Sequence, residues 1–213
     1  GEASKELSGE VIKLASYDTL LLEILGDIKE KKILDYGCGP GVLLKELESR
    51  DADVHGFDIS EELINKAKEF LPPYRLSTDL DFDSENNFDV IICNLVLCIV
   101  EETEVKDILS NIRELIKPNG SVYIGFCNPN IFNIQESQLD LREPTSHSYN
   151  ENHDYIKTKK EGGYTIVEKH RPIEWYREAY KEAGFNITHE YYTKKYRCKY
   201  HNIEDFIIFE LTG

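Results

Sequence analysis

The chain has 213 residues, 40 of them acidic against 25 basic, for a formal net charge of −15, and 40% are hydrophobic. That length suits one domain with a modest insertion and a substantial core, and the acidic balance argues against nucleic acid and anionic membranes as partners. Five cysteines (38, 93, 98, 127, 198) form no CxxC pair, no leader-like segment is read and no apolar run reaches membrane-spanning length, so a cytoplasmic protein with reduced thiols is expected.

In chain order, the apolar spacing from Leu7 to Leu25 predicts one or two amphipathic helices ending near Gly26, a cap over 1–27. A strand at 32–35 leads into a helix at 42–49, and a second strand follows at 53–57. Ser60, followed by Glu61 and Glu62, reads as the N-cap of a helix that stops before Pro72-Pro73. A short strand is expected at 74–76. The apolar run 88–93 reads as a strand buried on both faces. Thr103 is expected to cap a helix running to about 117, Pro118-Asn119-Gly120 breaks it, and a fifth strand covers 121–127. Five alternations of strand and helix predict a doubly wound α/β sheet with helices on both faces.

Residues 128–171 lose that rhythm and are polar, so they read as an irregular insertion, a lid over a substrate site, within a single domain 1–213. A helix begins at Pro172 and closes at Gly184, and two strands at 185–192 and 203–211 are close enough to be antiparallel. The lysines and tyrosines between them (191–200) read as a hairpin edge guarded by charge.

The stretch ILDYGCGPG (33–41) carries the most chemistry. Glycines at 37, 39 and 41 let a ligand approach the backbone at the carboxyl end of the first strand, before a helix whose free N–H groups point back at it. Two classes of cofactor use such a turn, dinucleotides and S-adenosylmethionine. The spacing is GxGxG rather than GxGxxG, and Asp35 stands two residues before the first glycine. A carboxylate there repels a pyrophosphate but accepts a hydrogen bond from an ammonium group, so its sign favours the cationic cofactor. Asp58, at the end of the second strand, is placed to accept both ribose hydroxyls of either class.

Taken together, ILDYGCGPG, GFDIS (56–60), the Thr78-Asp79-Leu80 turn, FDVIICNLVLCIV (88–100), KPNG (117–120) and SVYIGF (121–126) resemble the class I S-adenosylmethionine-dependent methyltransferases. The resemblance implies a Rossmann-like mixed sheet of seven strands with strand seven antiparallel. It implies that Asp35, Gly37, Gly39 and Gly41 hold the methionine end of the cofactor, Asp58 the ribose and Ile59 the adenine face. Asp79 and Leu80 would read the adenine amino edge, with Asn94 and Leu95 on the floor beside the sulfonium. Cys38 fills a position often held by a small residue and reads as a steric fit. Tyr17 is expected either to fold over the cofactor carboxylate, as in similar enzymes, or to pack in the core.

Methyl transfer needs alignment, exclusion of water and, for some acceptors, a base. Within the insertion His147, His153 and His170 are the candidates, each of which also reads as a structural residue; no metal site is expected. HRPIEWY (170–176) resembles a segment after strand five in small-molecule methyltransferases of this fold, and no NPPY-type tetrad follows strand four. The expectation is a methyltransferase acting on a small-molecule acceptor, as a monomer or homodimer. Alternatives are an NAD-dependent oxidoreductase, a cofactor-binding regulatory protein of the same fold, or a methyltransferase acting on protein or RNA.

Overall fold

The computed structural model describes residues 14–80 and 87–213. A π-helical turn (Leu14–Asp18) leads into α1 (Thr19–Leu25). The alternating region is β1 (Lys32–Tyr36), α2 (Val42–Glu48), β2 (Asp53–Phe57), α3 (Glu61–Ala67), β3 (Leu76–Ser77), β4 (Phe88–Asn94), α4 (Glu102–Leu115) and β5 (Ile116–Cys127). Three strands follow, β6 (Asp140–Arg142), β7 (His153–Lys159) and β8 (Thr165–His170). The chain closes with α5 (Ile173–Glu182), β9 (Asn186–Tyr192), β10 (Tyr196–Cys198), β11 (His201–Ile203) and β12 (Phe206–Thr212).

Seven strands form one sheet in the order β3-β2-β1-β4-β5-β12-β9. Pairs from β3 to β5 are parallel, whereas β12 runs antiparallel to both neighbours. The last strand is therefore the reversed one, as expected.

Each central strand buries side chains on both faces, alternating with period two. Leu34, Ile91, Val122 and Ile124 join one core with Ile108 and Ile112 of α4 and Tyr176 and Tyr180 of α5. Ile33, Val90, Ile92 and Tyr123 join the other with Leu21 of α1, Leu44 and Leu47 of α2 and Ile64 of α3. Helices thus cover both faces. No helix among the described residues is long and apolar enough to cross a membrane.

Ser60 caps α3 through a 3.3 Å bond from the Leu63 amide. The cap of α4 is Glu101 rather than Thr103: its carboxylate accepts from the third-residue amide, and the Glu104 carboxylate accepts from the Glu101 amide at 2.8 Å. The fifth strand starts at Ile116, and Pro118 to Gly120 form a register irregularity inside it. The third strand sits at 76–77, after a single 3-10 turn at Pro73–Arg75.

The larger correction concerns 128–171, which contains an antiparallel sheet β6-β7-β8 rather than irregular chain. Its inward side chains are Asp140, Arg142, Tyr155, Lys157, Glu168 and His170, all buried. A strand whose buried face is polar has no hydrophobic alternation to read.

Candidate functional site

β1 ends in Asp35 and Tyr36, and the chain then turns back on itself. The amides of Gly37 and Cys38 both donate to the Phe57 carbonyl, at 2.7 and 2.9 Å, which pins the turn to β2. Gly37 has φ +82°, and a Cβ there would overlap Val96 Cγ2. Gly39 has φ +54°, with open space where a Cβ would stand. The backbone is therefore bare on the side where a ligand can approach.

Asp58, at the end of β2, is fixed by backbone donors. Its Oδ2 accepts from the Gly39 amide at 2.8 Å and its Oδ1 from the Ser60 amide at 2.9 Å. Each oxygen keeps a second lone pair for a ligand. Asp35 is 3% exposed.

A cavity of about 600 Å³ opens at this turn. Asp35, Gly37, Cys38, Gly39, Asp58, Ile59, Asn94 and Leu95 line it, eight of the residues expected from sequence. Reasoning from sequence missed Asp18, Tyr36, Phe57, Val96, Ile99, Glu104, Asp107, Ile108 and Asn111, among others. Glu104, Asp107 and Asn111 belong to the polar stripe of an amphipathic helix, which in sequence looks like any solvated face. Five carboxylates (Asp18, Asp35, Asp58, Glu104, Asp107) line the cavity, and among the described residues no lysine, arginine or histidine does. Ile59, Val42 and Ile99 stand at its walls 86%, 46% and 51% exposed. Apolar side chains left open around one cavity mark a surface for an apolar ligand face.

The floor depends on Tyr17. Its side chain is fully buried, its hydroxyl donates to Asn94 Oδ1, and its ring meets Phe206 edge-on at 5.0 Å. A Cβ on Gly125 would overlap that hydroxyl. Tyr17 thus packs in the core, one of its two expected places, outside the cavity lining, and its neighbour Asp18 reaches the cavity. Leu95 adopts a left-handed φ of +59° while its amide donates to the Gly125 carbonyl at 2.8 Å. Strain of this kind persists where the surroundings over-determine it.

Other expected residues fall elsewhere. Gly41 starts α2 in a left-handed conformation outside the lining, where a Cβ would meet that of Ala67 at 3.0 Å. Asp79 is exposed, with its amide bonded to Ser77 Oγ at 3.0 Å, and Leu80 packs against the hydrophobic core; neither lines the cavity. Cys38 is a filler: its Sγ lies 2.8 Å from where a Gly56 Cβ would be. Burial, then the charges of Asp35 and Asp58, push its thiol far above the usual range, so it stays protonated.

The three histidines of the insertion come together, but not on the cavity. His147 stacks on His153 at 4.4 Å, His153 lies 4.9 Å from His170, and Phe132 stacks on His170 at 4.0 Å. Pairing of β7 with β8 sets His153 opposite His170. His170 Nε2 meets the Tyr149 carbonyl at 2.8 Å, and burial lowers its pKa from 6.5 to about 4. Neutral and walled by rings, it acts here as a packed polar residue.

The insertion nonetheless grips the site. The Lys169 amide donates to the Cys98 carbonyl at 2.8 Å, while Arg171 donates to the carbonyls of Leu97 (2.8 Å) and Val100 (2.6 Å). That segment carries Val96, Ile99 and Val100 of the lining.

Comparison with known proteins agrees with this arrangement. The family described as "Methyltransferase domain" matches residues 12–190. A ubiquinone biosynthesis O-methyltransferase of Aliivibrio fischeri is 30% identical over 143 residues, covering 59% of this chain and 58% of that one. Its counterpart in Coxiella burnetii is 33% identical over 110 residues, covering 48% and 46%. The chain thus spans roughly half the length of the curated relatives it matches. Among solved structures, the PH0226 protein of Pyrococcus horikoshii superimposes with a TM-score of 0.71 at 17% identity, covering 98% of this chain and 93% of that one. An S-adenosylmethionine-dependent methyltransferase of Mesorhizobium loti gives 0.64 at 17%, covering 92% and 96%. At that identity the likeness concerns the fold.

Proposed function

The chain belongs to the methyltransferase-domain family, and from that premise we propose that it binds S-adenosylmethionine at the glycine turn and transfers its methyl group to a small-molecule acceptor. The observation that carries this reading is the sign of the cavity, five carboxylates with no basic side chain among the described lining. S-adenosylmethionine brings an ammonium and a sulfonium, both attracted to such walls, whereas a dinucleotide brings a pyrophosphate that they repel. In this reading Asp35 and the backbone of Gly37 to Gly39 take the amino-acid end, and Asp58 accepts the ribose hydroxyls. Ile59 and Ile99 cover the adenine, and Asn94 and Leu95 floor the methyl-bearing end. A volume of about 600 Å³ suits a cofactor of that size.

The reaction is an in-line displacement: the acceptor's lone pair forms the new bond to the methyl carbon while the carbon–sulfur bond breaks. The chain's task is to align the two and keep water out. Residues 128–171, anchored to the cavity wall through Lys169 and Arg171, are the part proposed to shape the acceptor side. The relatives' name, ubiquinone biosynthesis O-methyltransferase, points to an oxygen acceptor on a small molecule, and the acidic surface disfavours RNA. Five free cysteines suit a reducing, cytoplasmic setting.

The test supplies the protein with donor labelled in its methyl group and a filtered metabolite extract. Label should enter an extractable small molecule, and at sub-saturating donor Asp58→Ala should cut the transfer by about ten- to a hundredfold. In a parallel reaction with unfiltered extract, label appearing only in acid-precipitable material would point to a protein or RNA acceptor instead.

A further inference from the structure

β5 ends at Cys127, and Lys157 reaches it from β7 of the insertion. Lys157 Nζ lies 2.9 Å from Cys127 Sγ. Other sulfur contacts in the protein keep the ordinary spacing of a hydrogen bond to sulfur: Cys38 to the Gly39 carbonyl at 3.6 Å, Cys198 to the Glu136 carbonyl at 3.6 Å and Cys127 to Glu168 at 3.7 Å. The lysine contact is far shorter, close to the span of a single oxygen atom joined to both. Both side chains are buried, Cys127 at 7% and Lys157 at 1% exposure. Two carboxylates face the ammonium: Glu168 Oε1 is 2.5 Å from Lys157 Nζ and Asp140 Oδ2 is 3.5 Å away, while Glu168 Oε2 accepts from the Tyr155 hydroxyl. A lysine at this distance from a thiol, with a proton acceptor beside it, is arranged for more than charge balance.

We propose that Cys127 and Lys157 form a reversible covalent N–O–S bridge on exposure to peroxide, which staples the insertion to the end of β5. Glu168 takes the proton that turns the ammonium into an amine. The thiol S–H and one amine N–H break, and S–O and O–N bonds form. Two hydrogen peroxide molecules accept the four electrons removed; one oxygen stays in the bridge and three waters leave. Two equivalents of a dithiol return the thiol and the amine with loss of one water. The bridge would hold β7 against the sheet one residue before Asn128, where the insertion begins. It requires neither the methyl donor nor any acceptor. Cys98 is a second buried free thiol, so a Cys98–Cys127 disulfide is the competing product to be distinguished.

The 213-residue protein is treated with hydrogen peroxide and read by intact mass and tryptic mapping. The expected product is heavier by about 14 Da, one oxygen gained and two hydrogens lost. It has the Cys127 and Lys157 peptides joined, no tryptic cleavage after Lys157, and full reversal by dithiothreitol. Lys157→Arg should lose this product and show ordinary cysteine oxidation instead. Three results on the wild-type chain would overturn the proposal: a gain of about 16 or 32 Da at Cys127 with Lys157 still cleaved, a loss of about 2 Da with Cys98 joined to Cys127, or an unmodified Cys127. Because the readout is mass, failure here leaves the methyltransferase reading untouched.

Discussion

Tyr17, Asn94 and Gly125 form a unit that no stretch of sequence displays. The hydroxyl of Tyr17 sits where a side chain on Gly125 would have to go, and it orients Asn94 on the cavity floor. Gly125→Ala should therefore lower stability by about 1–3 kcal/mol through overpacking, measured as a shift in denaturant midpoint. Tyr17→Phe alone should cost about 1 kcal/mol for the lost hydrogen bond. Combined, the two changes should cost less than their sum, because removing the hydroxyl relieves the clash. That Asp35, Asp58, Gly37 and Gly39 would meet at one cavity was legible in the sequence because their chemistry is local: charge sign, strand end, bare backbone. The packed reading of Tyr17 was open in the sequence, but its bond to Asn94 was not legible, since that partner lies 77 residues away. His170 makes a further prediction. Its folded pKa is depressed by burial from 6.5 to about 4, so its contribution to stability is present above pH 6.5 and is lost as pH falls towards 4. Across that window wild type should lose about 1.4 kcal/mol per pH unit more than His170→Asn, read from denaturation midpoints at each pH.

At the scale of elements, the strands and helices of the main sheet were legible because each carries a period: continuous apolar runs for β4 and β5, a 3.6-residue stripe for α4 and α5. The β6-β7-β8 sheet was illegible because it buries ions. Lys157 contacts Glu168 at 2.5 Å and Asp140 at 3.5 Å, Lys159 contacts Asp140 at 3.0 Å, and Arg142 contacts Asp140 at 3.4 Å. Such a cluster specifies the register of the insertion more than it adds stability. Glu168→Gln should destabilise by about 3 kcal/mol because it leaves the buried Lys157 ammonium only its longer contact to Asp140, whereas Lys157→Met with Glu168→Leu should cost much less. Thermal or chemical denaturation of the three proteins distinguishes these outcomes; equal losses would mean the cluster is worth its Coulomb energy after all. Substitution of Thr103, the cap expected from sequence, should matter little, because Glu101 and Glu104 hold the end of α4.

For the whole molecule, the order β3-β2-β1-β4-β5 places the reversal of winding between β1 and β4, and the cavity opens at the carboxyl ends of these strands. Ligands in open α/β sheets bind at such a switch point. The net charge of −15 is partly concentrated there, in the five carboxylates of the lining, so the same acidity that reads in sequence as solubility also selects the sign of the ligand. Whole-molecule charge was legible from composition; its focus in one cavity needed the fold.

Titration calorimetry with S-adenosylmethionine and, separately, with NADH tests that claim most directly. S-adenosylmethionine should bind one-to-one, NADH should give no heat above dilution, and Asp58→Ala should weaken the first by about ten- to a hundredfold. Binding of NADH with no binding of S-adenosylmethionine would contradict it.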